Sequence, residues 1–318
     1  MKFSEHWLRT LVDPPIDSET LAERLTMAGL EVEERATVAP PFSGVVVGRV
    51  LAVARHPNAD RLTVCQVDVG RGAPLSIACG APNAAPGITV PCALPGAALP
   101  GGLAIKKTAM RGVESDGMLC SAVELGLSDD ASSLAVLEPD LKPGTDLRAA
   151  LDLDDALLTL KLTPNRADCL SLVGVAREVA AITGAALKPP PAAPVAIKTQ
   201  ASRRVRVEDA LACPRFCGRL IEGIDPKAPT PEWMRRRLER SGIRSISAVV
   251  DVTNYVMLEL GQPLHAYDDR ELEGDIVVRF ARRDEKLTLL NGQTLDLDPD
   301  VLLVADEKKP LGLAGIMG

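Results

Sequence analysis

The chain has 318 residues, of which 46% are hydrophobic and only 3% aromatic, with a formal net charge of −7. That length holds two or three domains of ordinary size, and the apolar content excludes wholesale disorder. No apolar run approaches the roughly 20 residues of a membrane span, so a soluble protein is expected. An acidic chain is not drawn to nucleic acid by its overall field, so any RNA contact has to use local basic patches.

In chain order, residues 1–30 predict two short helices. Ser4 is placed to cap a segment with Trp7, Leu8 and Leu11 on one side. Asp17-Ser18 precedes Leu21, Leu25 and Met27, with Gly29 as the stop. A strand over 30–34 follows, and Pro40-Pro41 ends the unit. From about residue 42 the pattern turns to β, with strands expected over 45–54, 62–69, 75–79 and 88–94 between Gly/Pro/Asn turns. Many short strands with little helix predict a small barrel or sandwich, closed near Pro143-Gly144.

Residues 156–162 predict another strand. Pro164-Asn-Arg-Ala-Asp168 then turns into a helix that Asp168 is placed to cap, with Leu172, Ala176 and Val179 at helical spacing and Gly184 at its end. This αβ texture matches residues 1–40 better than the barrel between them. The expectation is therefore a discontinuous αβ domain, 1–40 plus 152–190, interrupted by a barrel over 41–151. Lys188–Pro194 is a stiff, Pro-rich linker. A mixed α/β domain over 200–318 follows. In it Thr230-Pro231 opens a helix with Pro at the first helical position, and strands lie near 276–281 and 300–305. The fold class is α+β multidomain.

The seven cysteines are scattered and odd in number, and no secretory signal precedes them, so a reducing cytoplasm is expected. Cys213 and Cys217 are the one close pair. No second pair or nearby His completes a metal site, and small buried thiols are expected instead. No metal or cofactor ligands are assigned in this chain.

Three motifs carry chemistry. His56-Pro-Asn-Ala-Asp-Arg-Leu62 lies between two strands, where Asn58 and Arg61 offer donors suited to phosphate or sugar oxygens. Lys106, Lys107 and Arg111 add a small basic cluster. The third block, Ser241-Gly-Ile-Arg-Ser-Ile-Ser followed by Val249 to Asp268, contains His265 just after a Gly261-Gln-Pro263 turn.

These motifs resemble known proteins. Val47-Gly-Arg-Val-Leu, the His56–Val69 run, Gly112–Ser121 and Glu124-Leu-Gly-Leu127 look like the OB-fold tRNA-binding module appended to several synthetases. Leu162–Ser171 resembles a signature of the phenylalanyl-tRNA synthetase β subunit. Residues 241–268 resemble the core of that family's editing domain, with Cys213–Arg219 matching its first strand and Leu311–Gly318 a Gly-rich loop. Together the resemblances span nearly all of the chain, in the family's order.

The resemblance implies a fold in which an OB-fold barrel is inserted in a small αβ domain and followed by an editing domain that is incomplete at its C-terminus. It implies tRNA(Phe) as a partner, contacted through His56, Asn58, Asp60, Arg61, Lys106, Lys107 and Arg111. It also implies an editing pocket lined by Arg244, His265 and Gly318, which hydrolyses Tyr-tRNA(Phe) with a positioned water and backbone N–H groups near Ala314–Gly318. A pocket that hydrogen-bonds the tyrosine phenol rejects phenylalanine, because its own buried partner would be left unpaired. The implied assembly is a cytoplasmic heterotetramer of two α and two β chains, with no membrane. ATP and Mg2+ serve the whole enzyme and are not expected on this chain. The competing readings are a non-catalytic OB-fold RNA-binding or assembly module and a free-standing hydrolase of aminoacyl-tRNA. Residues 205–318 discriminate, since a pure binding module has no need of a hydrolytic pocket.

Overall fold

A computed structural model describes residues 1–129 and 131–316. The chain divides into two compact units, Glu34–Leu158 and a second made of Met1–Glu33 with Thr159–Gly318. Among the described residues no helix is long and apolar enough to cross a membrane.

The N-terminal stretch runs β1 (Lys2–Ser4), α1 (Glu5–Leu11), α2 (Ser18–Met27) and β2 (Glu31–Thr37). Both helices start where the capping residues predict. The Ser4 hydroxyl accepts from Trp7 N–H at 3.0 Å, and Asp17 accepts from Thr20 N–H at 2.7 Å. Strand β1 escapes periodicity because it is three residues long, and only its ladder partner reveals it.

Within Glu34–Leu158 the strands are β3 (Ser43–Arg55), β4 (Thr63–Asp68), β5 (Leu75–Cys79), β6 (Thr89–Ala98), β7 (Thr108–Met110), β8 (Val113–Ser115) and β9 (Met118–Leu119), followed by a short helix α3 (Leu147–Ala150). Five of them form an antiparallel sheet in the order β5-β4-β3-β6-β9. The Asp116 N–H donates to Ser76 O and the Ala78 N–H to the Ser115 hydroxyl. The edge at β5 thus meets the segment entering the opposite edge at β9, and the sheet curls into a half-barrel. Pro143-Gly144 does not close the block. Gly144 N–H donates to Val47 O, and the chain continues through α3, which buries Leu147.

The second unit continues with β10 (Ala156–Lys161), which lies between β1 and β2 in a three-stranded sheet, and α4 (Leu172–Thr183). Asp168 does not cap α4. A 3-10 turn over Pro164–Cys169 intervenes, and Ser171 caps the helix by accepting from Gly174 N–H at 3.0 Å. Asp168 instead pairs with Arg166 at 3.1 Å. A Cβ on Gly174 would lie 1.8 Å from Asp168 O, so only glycine admits this close turn. Beyond the linker come β11 (Val205–Val207), α5 (Glu232–Arg240), α6 (Ala248–Leu260), β12 (Ile276–Phe280), β13 (Lys286–Thr288), β14 (Thr294–Asp296), β15 (Leu302–Ala305) and β16 (Pro310–Leu313). Pro231 is the N-cap of α5 and not its first helical residue. The sheet order is β11-β12-β15-β16, with β13-β14 as a separate hairpin. Residues 213–219 form no strand, and no described strand pairs with them. Five cysteines are buried as expected, but Cys213 is half-buried and Cys217 exposed.

The helices of this unit meet in an aromatic cluster. Trp7 of α1 stacks on Tyr255 of α6 with centroids 4.7 Å apart, and Trp233 of α5 meets Tyr255 edge-on at 5.3 Å. The Arg237 guanidinium lies 5.2 Å from the Trp7 ring and donates to the Tyr255 hydroxyl at 2.6 Å. That hydroxyl donates to Glu259 at 3.0 Å. An aromatic contact whose Tyr255 hydroxyl is hydrogen-bonded on both sides joins sequence-distant helices. Trp7→Ala should therefore lower stability by about 3–5 kcal/mol, read as a shift in the denaturant midpoint.

A second internal tie is the pair Arg279–Glu285. Its bonds are 2.8 and 2.6 Å, and only 2% and 12% of the two side chains are exposed. The Arg279 guanidinium holds the Glu285 carboxyl below its ordinary value, against the upward push of burial. A depressed carboxyl stabilises the fold above its unfolded pKa and loses that contribution as pH falls through the folded one. Glu285→Gln should thus flatten the loss of stability below about pH 4.5, as urea melts across pH would register.

Candidate functional site

The loop after β3 is closed on itself: His56 N–H donates to Leu62 O, and Leu62 N–H to Ala59 O, each at 3.1 Å. It is also clamped to the β7–β8 hairpin. Met110 pairs with Val113, leaving Arg111-Gly112 as a two-residue turn with φ of 47° and 87°. Positive φ at both positions is the geometry that suits the right-handed twist of hairpin strands, and it favours Asn or Asp followed by Gly. Gly112 fits, whereas Arg111 carries a strain of roughly 1 kcal/mol.

His56 is buried, and both of its ring nitrogens are used. Nδ1 accepts from Asn58 N–H at 3.1 Å, which assigns the ring proton to Nε2, and Nε2 donates to Met110 O at 3.0 Å. The Asn58 amide donates to Arg111 O at 2.9 Å. The His56 ring and one Asn58 amide N–H therefore order the loop and hairpin, while the Asn58 side chain itself stays exposed. Lys107 is likewise occupied, at 2.8 Å from Asp116 and 3.4 Å from Glu114, and these carboxylates raise its pKa. Asp60, Arg61, Lys106 and Arg111 are exposed. Arg55, not singled out from the sequence, is exposed at the end of β3 opposite Thr63. Its position at the strand–loop junction was the available signal.

The second group of residues lies in 241–268. Helix α5 ends in a turn where Gly242 has φ of 79° and Ile243 N–H reaches back to Leu238 O at 2.9 Å. Arg244 follows and is exposed. The segment after it is pinned by Asp251, a fully buried carboxylate that the sequence reading passed over. Asp251 accepts from the Ser245 and Thr230 hydroxyls, both at 2.5 Å, and from Ile246 N–H at 2.9 Å. Burial alone would raise this carboxyl, and the converging donors more than reverse it, leaving the pKa below the ordinary range.

His265 follows Gly261, the left-handed C-cap of α6 at φ 76°. A Cβ on Gly261 would press on Ser171 at 3.2 Å. The His265 ring is exposed and lies tilted 5.3 Å from the Tyr267 ring. The Tyr267 hydroxyl is buried and has no hydrogen-bond partner among the described residues. Gly318 lies outside the described residues. Two N–H groups of the Gly-rich segment are already spent: Ala314 donates to Leu302 O, extending the β15–β16 ladder, and Ile316 to Leu313 O. They cannot also steady an ester oxygen. Two buried thiols, Cys92 and Cys120, make poor nucleophiles, since desolvation pushes them up to about 12.

Gly312 lies in β16 and Gly315 in the turn after it, with no helix opening among the described residues to cradle a phosphate. At the clamp, His56→Ala would strand Asn58 N–H and Met110 O. It should cost roughly 2–4 kcal/mol, measurable as a lowered denaturant midpoint.

Comparison with known proteins adds to this geometry. Residues 45–146 match the family described as "Putative tRNA binding domain", and residues 212–318 match "B3/4 domain". The chain is 63% identical over all 318 residues to a protein of Dechloromonas aromatica named Phenylalanine–tRNA ligase beta subunit. It is 59% identical over its whole length to proteins of that name from Aromatoleum aromaticum and Thiobacillus denitrificans. It spans 40%, 40% and 41% of those three. Among solved structures, a MetRS-related protein from Pyrococcus horikoshii is 20% identical over 32% of this chain and 87% of its own, at a TM-score of 0.25, which carries no weight. With high identity along every part of its length, the chain belongs to the phenylalanine–tRNA ligase beta-subunit family.

Proposed function

We propose that this chain contributes tRNA binding and hydrolytic editing to a ligase that joins phenylalanine to tRNA(Phe) with ATP and Mg2+. The observation that carries this reading is identity of 56–63% over the whole chain to proteins named as that ligase's beta subunit, so the resemblance is not confined to one module. In this reading residues 41–151 are an OB-fold that binds tRNA, which the five-stranded half-barrel and the match over 45–146 support. Residues 1–40 plus 152–190 are the αβ domain into which it is inserted. Residues 200–318 are an editing domain, supported by the match over 212–318. The partner is the ligase's α chain, in a cytoplasmic assembly of two α and two β chains that supplies the ATP and Mg2+ site.

The editing chemistry assigned to this chain is hydrolysis of the ester in Tyr-tRNA(Phe). His265 stands at the end of α6, where an exposed imidazole can orient a water or the terminal ribose. Arg244, carried by a segment that Asp251 immobilises, supplies a charged donor for the 3′-terminal nucleotide. Gly318 remains part of the proposed pocket. In the intact two-chain ligase, His265→Ala should abolish tyrosine release from Tyr-tRNA(Phe) and leave phenylalanine charging unchanged. Deacylation and aminoacylation assays on one preparation measure both, and unchanged tyrosine release would remove His265 from the pocket.

A further inference from the structure

We propose that the Arg111-Gly112 turn and the clamped 56–62 loop form one docking element for RNA phosphates, with Arg111 the contact residue and Asn58 its positioning residue. The inference rests on the reading above that this unit binds tRNA, and it names where and how.

Four observations converge on the turn. Arg111 occupies a left-handed position at φ 47°, where Asn, Asp or Gly would fold more easily. A residue kept against local preference at an exposed tip marks a use other than stability. Its backbone is held from outside the hairpin by the Asn58 amide at 2.9 Å, and Gly112 lies in ordinary contact range of that same amide. The tip is thereby tied at its apex as well as at its strands.

The Arg111 side chain is exposed and has no ion-pair partner among the described residues, whereas Lys107, four residues earlier, is held by two carboxylates. Two further exposed arginines border the same clamp, Arg61 inside the loop and Arg55 at the strand end that leads into it. In a chain of net charge −7, three unpaired guanidinium groups on one fixed loop–turn element form the local basic patch that RNA contact requires. The planar fork of arginine matches two phosphate oxygens at once. A backbone fixed beneath it lowers the ordering cost of that contact.

The test is binding of an unmodified tRNA transcript to the intact protein by fluorescence anisotropy across a salt series. Thermal unfolding is recorded on the same samples. Arg111→Asn should raise the melting temperature, because it relieves the turn. It should also weaken binding on the order of fivefold and lower the slope of log K against log salt by about 0.7–0.9, one phosphate contact's worth. Arg71→Asn, on the exposed β4–β5 turn of the same unit, should leave that slope unchanged. Asn58→Ala should weaken binding in the wild-type background and add no further loss to Arg111→Asn, the mark of a residue acting through another. An unchanged slope in Arg111→Asn, or an equal drop in Arg71→Asn, would overturn the inference while leaving tRNA binding by the unit intact. A wild-type protein that fails to bind the transcript at any salt would overturn the tRNA-binding reading and this inference together.

Discussion

The half-barrel depends on the burial of both faces of strand β3. Val45 and Val47 pack into one apolar cluster with Phe42, Leu99, Leu125 and Leu147, while Val46 and Val50 pack into another with Val67, Ile77 and Val90. A one-residue slip of a strand buried on both sides exchanges two apolar faces and exposes neither, so its register is set by packing volume and not by alternation. Its neighbours β4 and β6 inherit that register, and an irregularity between Val50 and Ala52 bends it before the functional loop begins. Gly48 sits where a side chain would strike Val67 and Cys92, which fixes how tightly the three strands approach. The loop at 56–62 is therefore delivered from a rigid base.

Polar groups withdrawn from water then decide which exposed residues are held and how. His56 and Asn58 do this for the β7–β8 turn, and Asp251 does it for the segment carrying Arg244. In each case side-chain bonds hold a turn or loop from outside it, which is how irregular segments near sites are kept ordered. Residues that a motif marks out are thus divided by burial. Some build the scaffold, and others, such as Arg61, Arg111, Arg244 and His265, remain exposed on it. The motif contains both kinds because a precise surface needs its support as much as its contact.

Many helix starts and strand identities were legible along the chain because they rest on local rules. Ser4, Asp17 and Gly184 act within one turn of their own position, and period-two alternation survives in any sheet. Asp168 lost the α4 cap to Ser171 because a 3-10 turn displaced it, and residues 213–219, which the resemblance matched to a strand, form none.

The sequence by itself determined the family, the order of its blocks and most secondary structure, since motif wording and apolar periodicity are properties of neighbours along the chain. Only the tertiary structure decided that His56 is buried and that Asn58 ties the 56–62 loop to the β7–β8 turn, that Lys107 is paired with Glu114 and Asp116, and that Asp251 is a buried hub. A side chain's role as scaffold or contact depends on which distant groups surround it. Burial and hydrogen-bond partners come from residues tens of positions away, and no local pattern encodes them.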